Sequence, residues 1–311
     1  MAKYVVARLL HGVPIVIGVT LVTFFLFYVF GGDPVLTFLG QHASAEEIDA
    51  LRAQYGLDKT LVGQYFTYLR EVATLDFGRS FVSHEPVAAL LWRGLGPSLS
   101  LTIPALFATT ILSVSVGLLA AHFRGRALDR WLMALAVAGM SVSFLVYIVV
   151  GQYLLAFELP LFPIHGYRPG ELERWPYLAL PILVLVAVGM GYDARFYRSA
   201  IAEEIGRDHI TTAYAKGLGA RRVLFVHVLK NAMVPIVTRV MISVPFLVTG
   251  SLLLESFFGI PGLGGTLLAA LDAADFPVIK AYTVLVSILF VLTNILTDVF
   301  YAWVDPRVRL S

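Results

Sequence analysis

The chain has 311 residues, 58% of them apolar and 14% charged, with Lys+Arg 23 against Asp+Glu 21 and a formal net charge of +2. An ordinary soluble surface takes roughly 25% charged residues, so this composition, with a mean hydropathy of +0.80, excludes a soluble globular protein. With 0 Cys there is no disulfide, no thiolate metal site and no cysteine nucleophile.

The apolar residues come in blocks. Uncharged stretches occupy 9–32, 94–121, 131–157 and 175–192, while 231–254 and 281–304 are interrupted only by Arg239 and Asp298. Each is long enough for a membrane helix, which takes about 17–25 residues. The pattern predicts an all-α membrane protein with six transmembrane helices. The first block follows Lys3 and Arg8, and Ala43 and Ala45 offer a small-residue cleavage site. A signal peptide has an apolar region of only about 7–15 residues with its site close behind, so a retained anchor is the better reading.

Residues 33–93 are more polar than their neighbours and read as a small helical extracytoplasmic cap, because about 60 residues is too long for a plain connector. Gly31-Gly32-Asp33-Pro34 ends the first span, since proline cannot continue a helix. Ser44 with Glu47 forms a capping box for a helix over 45–55, ended by Gly56, and a second helix covers 61–73. Asp76-Phe77-Gly78-Arg79-Ser80 is a loop, and 86–92 leads into span two.

A short basic turn over 122–130 joins spans two and three, and 158–174, with three Pro and two Gly, is an ordered non-helical excursion. The segment 193–230 predicts a helix to about Gly206, a helix over 208–216, a turn at Gly217-Leu218-Gly219 and a further helix through His227. Asp208 reads as an N-cap, and Gly217 or Gly219 as the left-handed residue at the C-terminal end. Ile210, Ala213 and Leu218, with Arg221 and Arg222 beyond, make a short amphipathic element that either lies on the membrane or docks a partner.

With the amino terminus in the cytoplasm, 15 of the 23 Lys and Arg fall on the inner side, and five of the remaining 8 lie in the long cap segment, which counts for little in setting orientation. Both termini are therefore expected inside. Arg239 precedes Glu255 by 16 residues and Asp298 follows Lys280 by 18, about 24 and 27 Å of helix. Both charges thus fall near the inner ends of their spans. Either each reaches the membrane surface by itself, or they form an intramembrane ion pair between spans five and six. A secondary carrier would be expected to show more such charges, in relays or at the midplane.

Covalent chemistry finds no support. The seven His show no H-E-x-x-H and no pair at ligand spacing, and there is no G-x-x-x-x-G-K-[ST] to cradle phosphate. Gly262-Leu263-Gly264-Gly265 follows no strand and is not a nucleotide loop.

Several motifs in order carry a family resemblance: Gly32-Asp33-Pro34-Val35, Tyr55-Gly56-Leu57-Asp58, Asp76 to Ser80, Arg195 to Arg198, Asp208 with Thr212-Ala213-Tyr214-Ala215-Lys216-Gly217-Leu218, Glu255-Ser256-Phe257-Phe258-Gly259-Ile260-Pro261-Gly262-Leu263-Gly264, and Asp305-Pro306-Arg307. Over nearly its whole length the chain resembles the permease subunits of binding-protein-dependent ABC importers, in the dipeptide, oligopeptide and nickel branch, B-type. Against the general inner-loop signature E-A-A-x-x-x-G, Thr211-Thr212-Ala213 stands at E-A-A when Gly217 is aligned on the glycine, so the acidic residue is missing.

The resemblance implies a division into 1–32 (cytoplasmic end and first span), 33–93 (cap) and 94–311 (permease core), with a cytoplasmic coupling loop at about 193–230. It implies an ATPase-coupling surface at Arg207, Asp208, Thr211, Thr212, Ala213, Lys216, Gly217 and Gly219. Glu255, Gly259, Pro261, Gly262 and Gly264 would form an outer gate or loop. It further implies a second, C-type permease, two ATP-binding subunits that hold ATP and Mg, an extracytoplasmic solute-binding protein, and a prokaryotic inner membrane. No cofactor, metal or nucleic acid is expected on this chain. A stand-alone channel or secondary carrier is the alternative, and an intramembrane hydrolase would need a nucleophile and base that no constellation here supplies.

Overall fold

The structure is a computed structural model that describes residues 2–30, 58–170, 172–249 and 251–304, with positions 44, 46, 49, 52 and 53. The 31–34 turn, most of the segment predicted as a helix over 45–55, and the closing Asp305-Pro306-Arg307 lie outside the described residues.

In chain order the helices are α1 (Ala2–Phe30), α2 (Leu61–Thr74), α3 (Val87–His122), α4 (Ala127–Ser141), α5 (Phe144–Gly151, widening into π turns over Gln152–Glu158), α6 (Trp175–Ile205), α7 (Asp208–Ala215), α8 (Ala220–Leu247), α9 (Leu252–Phe258), α10 (Leu263–Asp272) and α11 (Phe276–Val304). Among the described residues the only β pairing is an isolated bridge between Arg79 and Pro86. The protein is an all-α membrane protein. Four helices (α3, α6, α8 and the 276–298 part of α11) are long and apolar enough to cross a bilayer; two bent pairs bring the number to as many as six, and α1 adds an apolar stretch over Leu10–Leu26.

Two departures from the sequence expectation matter. The third predicted span is broken: α4 and α5 meet at 94°. Val142 and Ser143 are both extended, and the Gly139 carbonyl, which loses its i+4 partner at the break, accepts from the Val142 nitrogen at 3.3 Å and from the Tyr147 hydroxyl at 3.0 Å. The fifth predicted span, 231–254, starts earlier, at Ala220, and Leu254 belongs instead to α9. The α9 and α10 helices, bent by 91°, form a short helical hairpin where an outer loop is expected.

Three buried clusters mark the height of the bundle. At one end Leu118, Tyr197, Ile201, Ile210, Ala213, Val223, Val228 and Ile236 bring the ends of α3 and α6 onto α7 and α8. Leu101, Ile148, Leu178, Val184, Leu254 and Phe258 bind α3, α5, α6 and α9. Val87, Ala270, Val278, Ile279 and Ala281 close the other end of the bundle, with Phe77 of the cap loop packed on them. Along the α3–α6 seam small residues permit close approach, as membrane helices require: a Cβ on Gly117 would lie 2.9 Å from the Arg198 nitrogen.

Ion pairs tie the periphery on. Arg8 of α1 meets Asp298 of α11 at 2.9 Å. At the opposite end of α11, Lys280 bonds Glu71 of α2 at 2.8 Å and lies over the Tyr68 ring. The expected pair between Arg239 and Asp298 is not formed: Arg239 Nε donates to Asp193 of α6 at 2.8 Å, while Asp298 is taken by Arg8. Residue spacing along two helices predicts depth but not which neighbour each side chain faces, and at this depth α8 turns Arg239 toward α6.

Candidate functional site

At one end of the bundle the candidate site is built around α7. The 31-residue α6 is about 46 Å long at 1.5 Å per residue, longer than the ~30 Å hydrocarbon core, so its last turns project and hand the chain to α7. Arg207, extended at φ −82 and ψ 150, precedes the helix, and its side chain makes no cap bond. Asp208 is therefore the first helical residue and not the N-cap; the Arg207 guanidinium is engaged by Glu204 at 3.0 Å and Glu203 at 3.6 Å. An acidic residue in the first turn still favours the helix through its dipole.

Gly217 has φ +80, the Leu218 nitrogen donates to the Ala213 carbonyl at 3.3 Å, and the Gly217 nitrogen donates to Tyr214 at 2.9 Å. This is the Schellman arrangement, which favours glycine at the left-handed position. Gly219, by contrast, is extended at φ −65 and starts α8.

Within α7, Ile210 and Ala213 are buried against Tyr197, Ile201, Val223 and Val228. Asp208, Thr211, Thr212, Tyr214, Ala215, Lys216 and Gly217 are exposed. Of the residues expected on a coupling surface, only Ala213 faces inward. Sequence reasoning missed Glu204, which is buried, bonds Arg207, and lies 3.0 Å from His209 Nε2, itself 3.1 Å from Asn231 Nδ2 on α8. Glu204 thus fixes α7 to the end of α6, and the outward face of α7 is carried on a rigid base. An acid three residues before Arg207 and five before His209 was the available signal.

The same end holds the turn between α3 and α4. Arg198 of α6 grips Asp129 with two bonds, at 3.1 and 2.7 Å, and Asp129 also accepts from the Gly125 nitrogen at 3.0 Å.

At the opposite end, Glu255 organises the α9–α10 hairpin. It is fully buried, and its carboxylate accepts from Ser98 Oγ at 2.7 Å, the Ser251 nitrogen at 3.3 Å and the Gly265 nitrogen at 3.0 Å. Ser98 Oγ in turn accepts from the Leu263 nitrogen at 2.8 Å. Glu255 and Ser98 together therefore satisfy amides in the first turn of α10, which no residue at the N-cap, Gly262, can do through a side chain. Gly259 ends α9 with φ +64, and Pro261 lies between the two helices. A Cβ on Gly262 would overlap the Glu255 carboxylate, and one on Gly264 would lie 2.8 Å from the Leu252 nitrogen. The Glu255, Gly259, Pro261, Gly262 and Gly264 set expected as an outer loop is thus brought together as one packed turn. Ser98, on a span with nothing to single it out in sequence, was missed.

The hairpin is held to the cap in the same way. Buried Asp275, between α10 and α11, accepts from the Ser80 hydroxyl and from the Phe81 nitrogen at 3.1 Å. Gln152 of α5 donates to the carbonyls of Ile164 and Phe257, both at 3.1 Å, linking the 159–174 excursion to α9. Among the described residues no group of three His, Cys, Asp or Glu is placed to hold a metal.

The described residues thus form a bundle of apolar helices with α2 packed at one end and the short, exposed α7 held on a rigid base at the other, the architecture of a multi-pass membrane protein. Residues 113–310 match the family described as binding-protein-dependent transport system inner membrane component, and residues 1–102 match the N-terminal domain of such membrane components. The chain belongs to this family and is a multi-pass inner-membrane permease of an ABC importer. It is 35% identical over 309 residues to the glutathione transport system permease protein GsiC of Escherichia coli (strain K12), covering 99% of each chain. It is likewise 35% identical over 312 residues, again 99% of each, to GsiC of Shigella flexneri serotype 5b (strain 8401). A solved structure of the MetNI methionine ABC transporter in inward-facing conformations matches with a TM-score of 0.55 at 20% identity, covering 71% of this chain and 99% of that one, a likeness of fold.

Proposed function

We propose that this chain is one of two different permease subunits that together form the translocation path for a small peptide or peptide-sized solute, moved inward at the expense of ATP. Support for the substrate class comes from the GsiC relatives, whose name specifies glutathione transport, a tripeptide-sized solute. ATP and Mg are bound by two separate ATP-binding subunits, and a solute-binding protein delivers the substrate to the end carrying the cap and the α9–α10 hairpin. Both termini and α7 lie on the cytoplasmic side, as the excess of Lys and Arg there favours. The division into 1–32, 33–93 and 94–311 follows the same scheme.

The observation that carries the reading is α7. Thr211, Thr212, Tyr214 and Lys216 face outward from a helix whose other face is buried and whose start is tied to α6 through Glu204. A rigid lever of this kind converts closure of an ATP-binding dimer into movement of α6 and α8. Arg207, Asp208, Gly217 and Gly219 shape its two ends, and Lys216 is free to meet an acidic group on the partner.

The test is purification in mild detergent from the native cell, identification of the co-purifying subunits by mass spectrometry, and uptake of labelled dipeptide, glutathione and free amino acid by proteoliposomes of that complex. The expected result is a second permease, ATP-binding subunits and ATP-dependent uptake of the peptides. A chain recovered alone that moves solute without ATP would establish the carrier reading in its place.

A further inference from the structure

The turn between α3 and α4 carries a group of charges that the transport scheme leaves unused. Arg124, Arg126 and Arg130 are all exposed, and among the described residues no carboxylate lies within ion-pair distance of any of them. The acid of this turn, Asp129, is buried and hydrogen-bonds Arg198 and the Gly125 nitrogen, so its single charge is shared between Arg198 and the nearby Arg124. Three exposed arginines therefore fall within seven residues, in this turn and the first turn of α4. Arg126 is braced over the Phe123 ring at 5.7 Å.

Directly below, α4 presents an apolar face. Leu128 is 40% exposed, Trp131 69% and Leu135 65%, and their spacing of three and then four residues puts them on one side of the helix. Tryptophan near the end of a membrane helix favours the headgroup level, and Leu135, one turn further along, meets acyl chains. Arginine matches phosphate through two parallel hydrogen bonds. A basic head above an aromatic residue above an aliphatic stripe has the polarity profile of one anionic phospholipid. A protein partner is the other occupant that the test distinguishes, since arginine and tryptophan are also enriched at protein interfaces.

We propose that Arg124, Arg126 and Arg130, with Trp131 beneath them, form a binding site for an anionic phospholipid headgroup, whose chains lie along the Leu128–Leu135 face of α4. This rests on the membrane reading of the fold and not on the substrate or the ATP-binding partners. Because Arg198 joins Asp129 to α6, the lipid sits on a turn that is fastened to the same helix that carries α7.

The test uses the intact complex, delipidated and reconstituted into nanodiscs of mixed phosphatidylethanolamine and phosphatidylglycerol, with the lipids that remain after detergent washing counted by native mass spectrometry. The wild type retains phosphatidylglycerol in preference to phosphatidylethanolamine. Each arginine is worth roughly a fivefold preference, the equivalent of about 1 kcal/mol, so R124Q/R126Q/R130Q lowers the preference by more than about tenfold. The R124K/R126K/R130K variant, which keeps the charge, retains most of it. Unchanged retention in the glutamine variant would overturn the proposal, as would equal loss of both lipids, or loss of a protein subunit with the lipid unchanged. If the triple variant does not assemble, R126Q alone is compared with the wild type: a loss of about fivefold supports the site and no loss overturns it.

Discussion

Ser98 and Glu255 stand 157 residues apart in the chain and 2.7 Å apart in space, and through this contact a buried carboxylate and a hydroxyl from α3 jointly satisfy the start of α10. The α9–α10 hairpin is thereby fixed to the long span α3, and through Asp275 and Ser80 to the 76–86 loop as well.

Glu255→Ala removes the acceptor for the buried Ser98 hydroxyl and for the half-buried Ser251 and Gly265 amides. Each buried group left unpaired costs about 1–3 kcal/mol. The purified complex should melt well below the wild type, and Glu255→Gln, which keeps one carbonyl oxygen, should fall between them. Thermal unfolding followed by size-exclusion fluorescence measures this; equal melting of all three would show that Glu255 does not hold the hairpin.

Gly264→Ala forces a methyl to within 2.8 Å of the Leu252 nitrogen, and Gly262→Ala forces one onto the Glu255 carboxylate. Overpacking of this kind costs about 1–3 kcal/mol. Gly219→Ala meets nothing within 4 Å at an ordinary extended backbone and should be neutral in the same melting assay. Gly217→Ala, strained at φ +80, should lose about 1 kcal/mol although it also has open space around it.

The contrast between these glycines shows what was legible in the sequence. Runs free of charge located α1, α3, α6 and α11, because a bilayer accepts little else. The 94° bend between α4 and α5 was invisible, since Val142-Ser143 carries neither Pro nor Gly and the break depends on the extended backbone of just two residues. Arg239 and Asp298 stood out as charges within apolar runs, but the pair offered for them as one of two readings is not formed, because sequence distance fixes height along a helix and not the direction a side chain faces. The α7 segment was legible in its position and in its Gly217 end, one of two glycines offered, whereas Ile210 and Ala213, expected against the membrane or a partner, are buried against α6 and α8 of the same chain. Glu204, Asp129 and Ser98 were not legible, because their importance lies in partners distant in the chain or on the next element.

Asp275→Ala frees the Ser80 hydroxyl and the Phe81 amide while Lys280 still holds Glu71 at 2.8 Å. Hydrogen exchange over residues 80–83 should accelerate by at least about tenfold, with α2 little changed. Unchanged exchange at Phe81 would mean that the loop is held by other contacts.

Arg198 and Asp129 should behave as a coupled pair. Asp129→Asn or Arg198→Gln alone leaves a partly buried charge without its partner, for which removal of one member costs about 3–5 kcal/mol. The double variant should lose clearly less stability than the two single losses added together. A double-mutant cycle with no coupling would place the stability of this turn elsewhere.

The most direct test of the central claim uses the absence of cysteine in the chain. Thr212→Cys on the exposed face of α7 and Tyr153→Cys on an exposed site near the opposite end each introduce a single thiol into this chain. In the assembled complex, a short bifunctional reagent should join Thr212→Cys to an ATP-binding subunit and block ATP-driven uptake, while Tyr153→Cys should give no such product. Uptake that continues with α7 fully modified, and no cross-link to an ATP-binding subunit, would contradict the assignment of α7 as the element through which ATP drives transport.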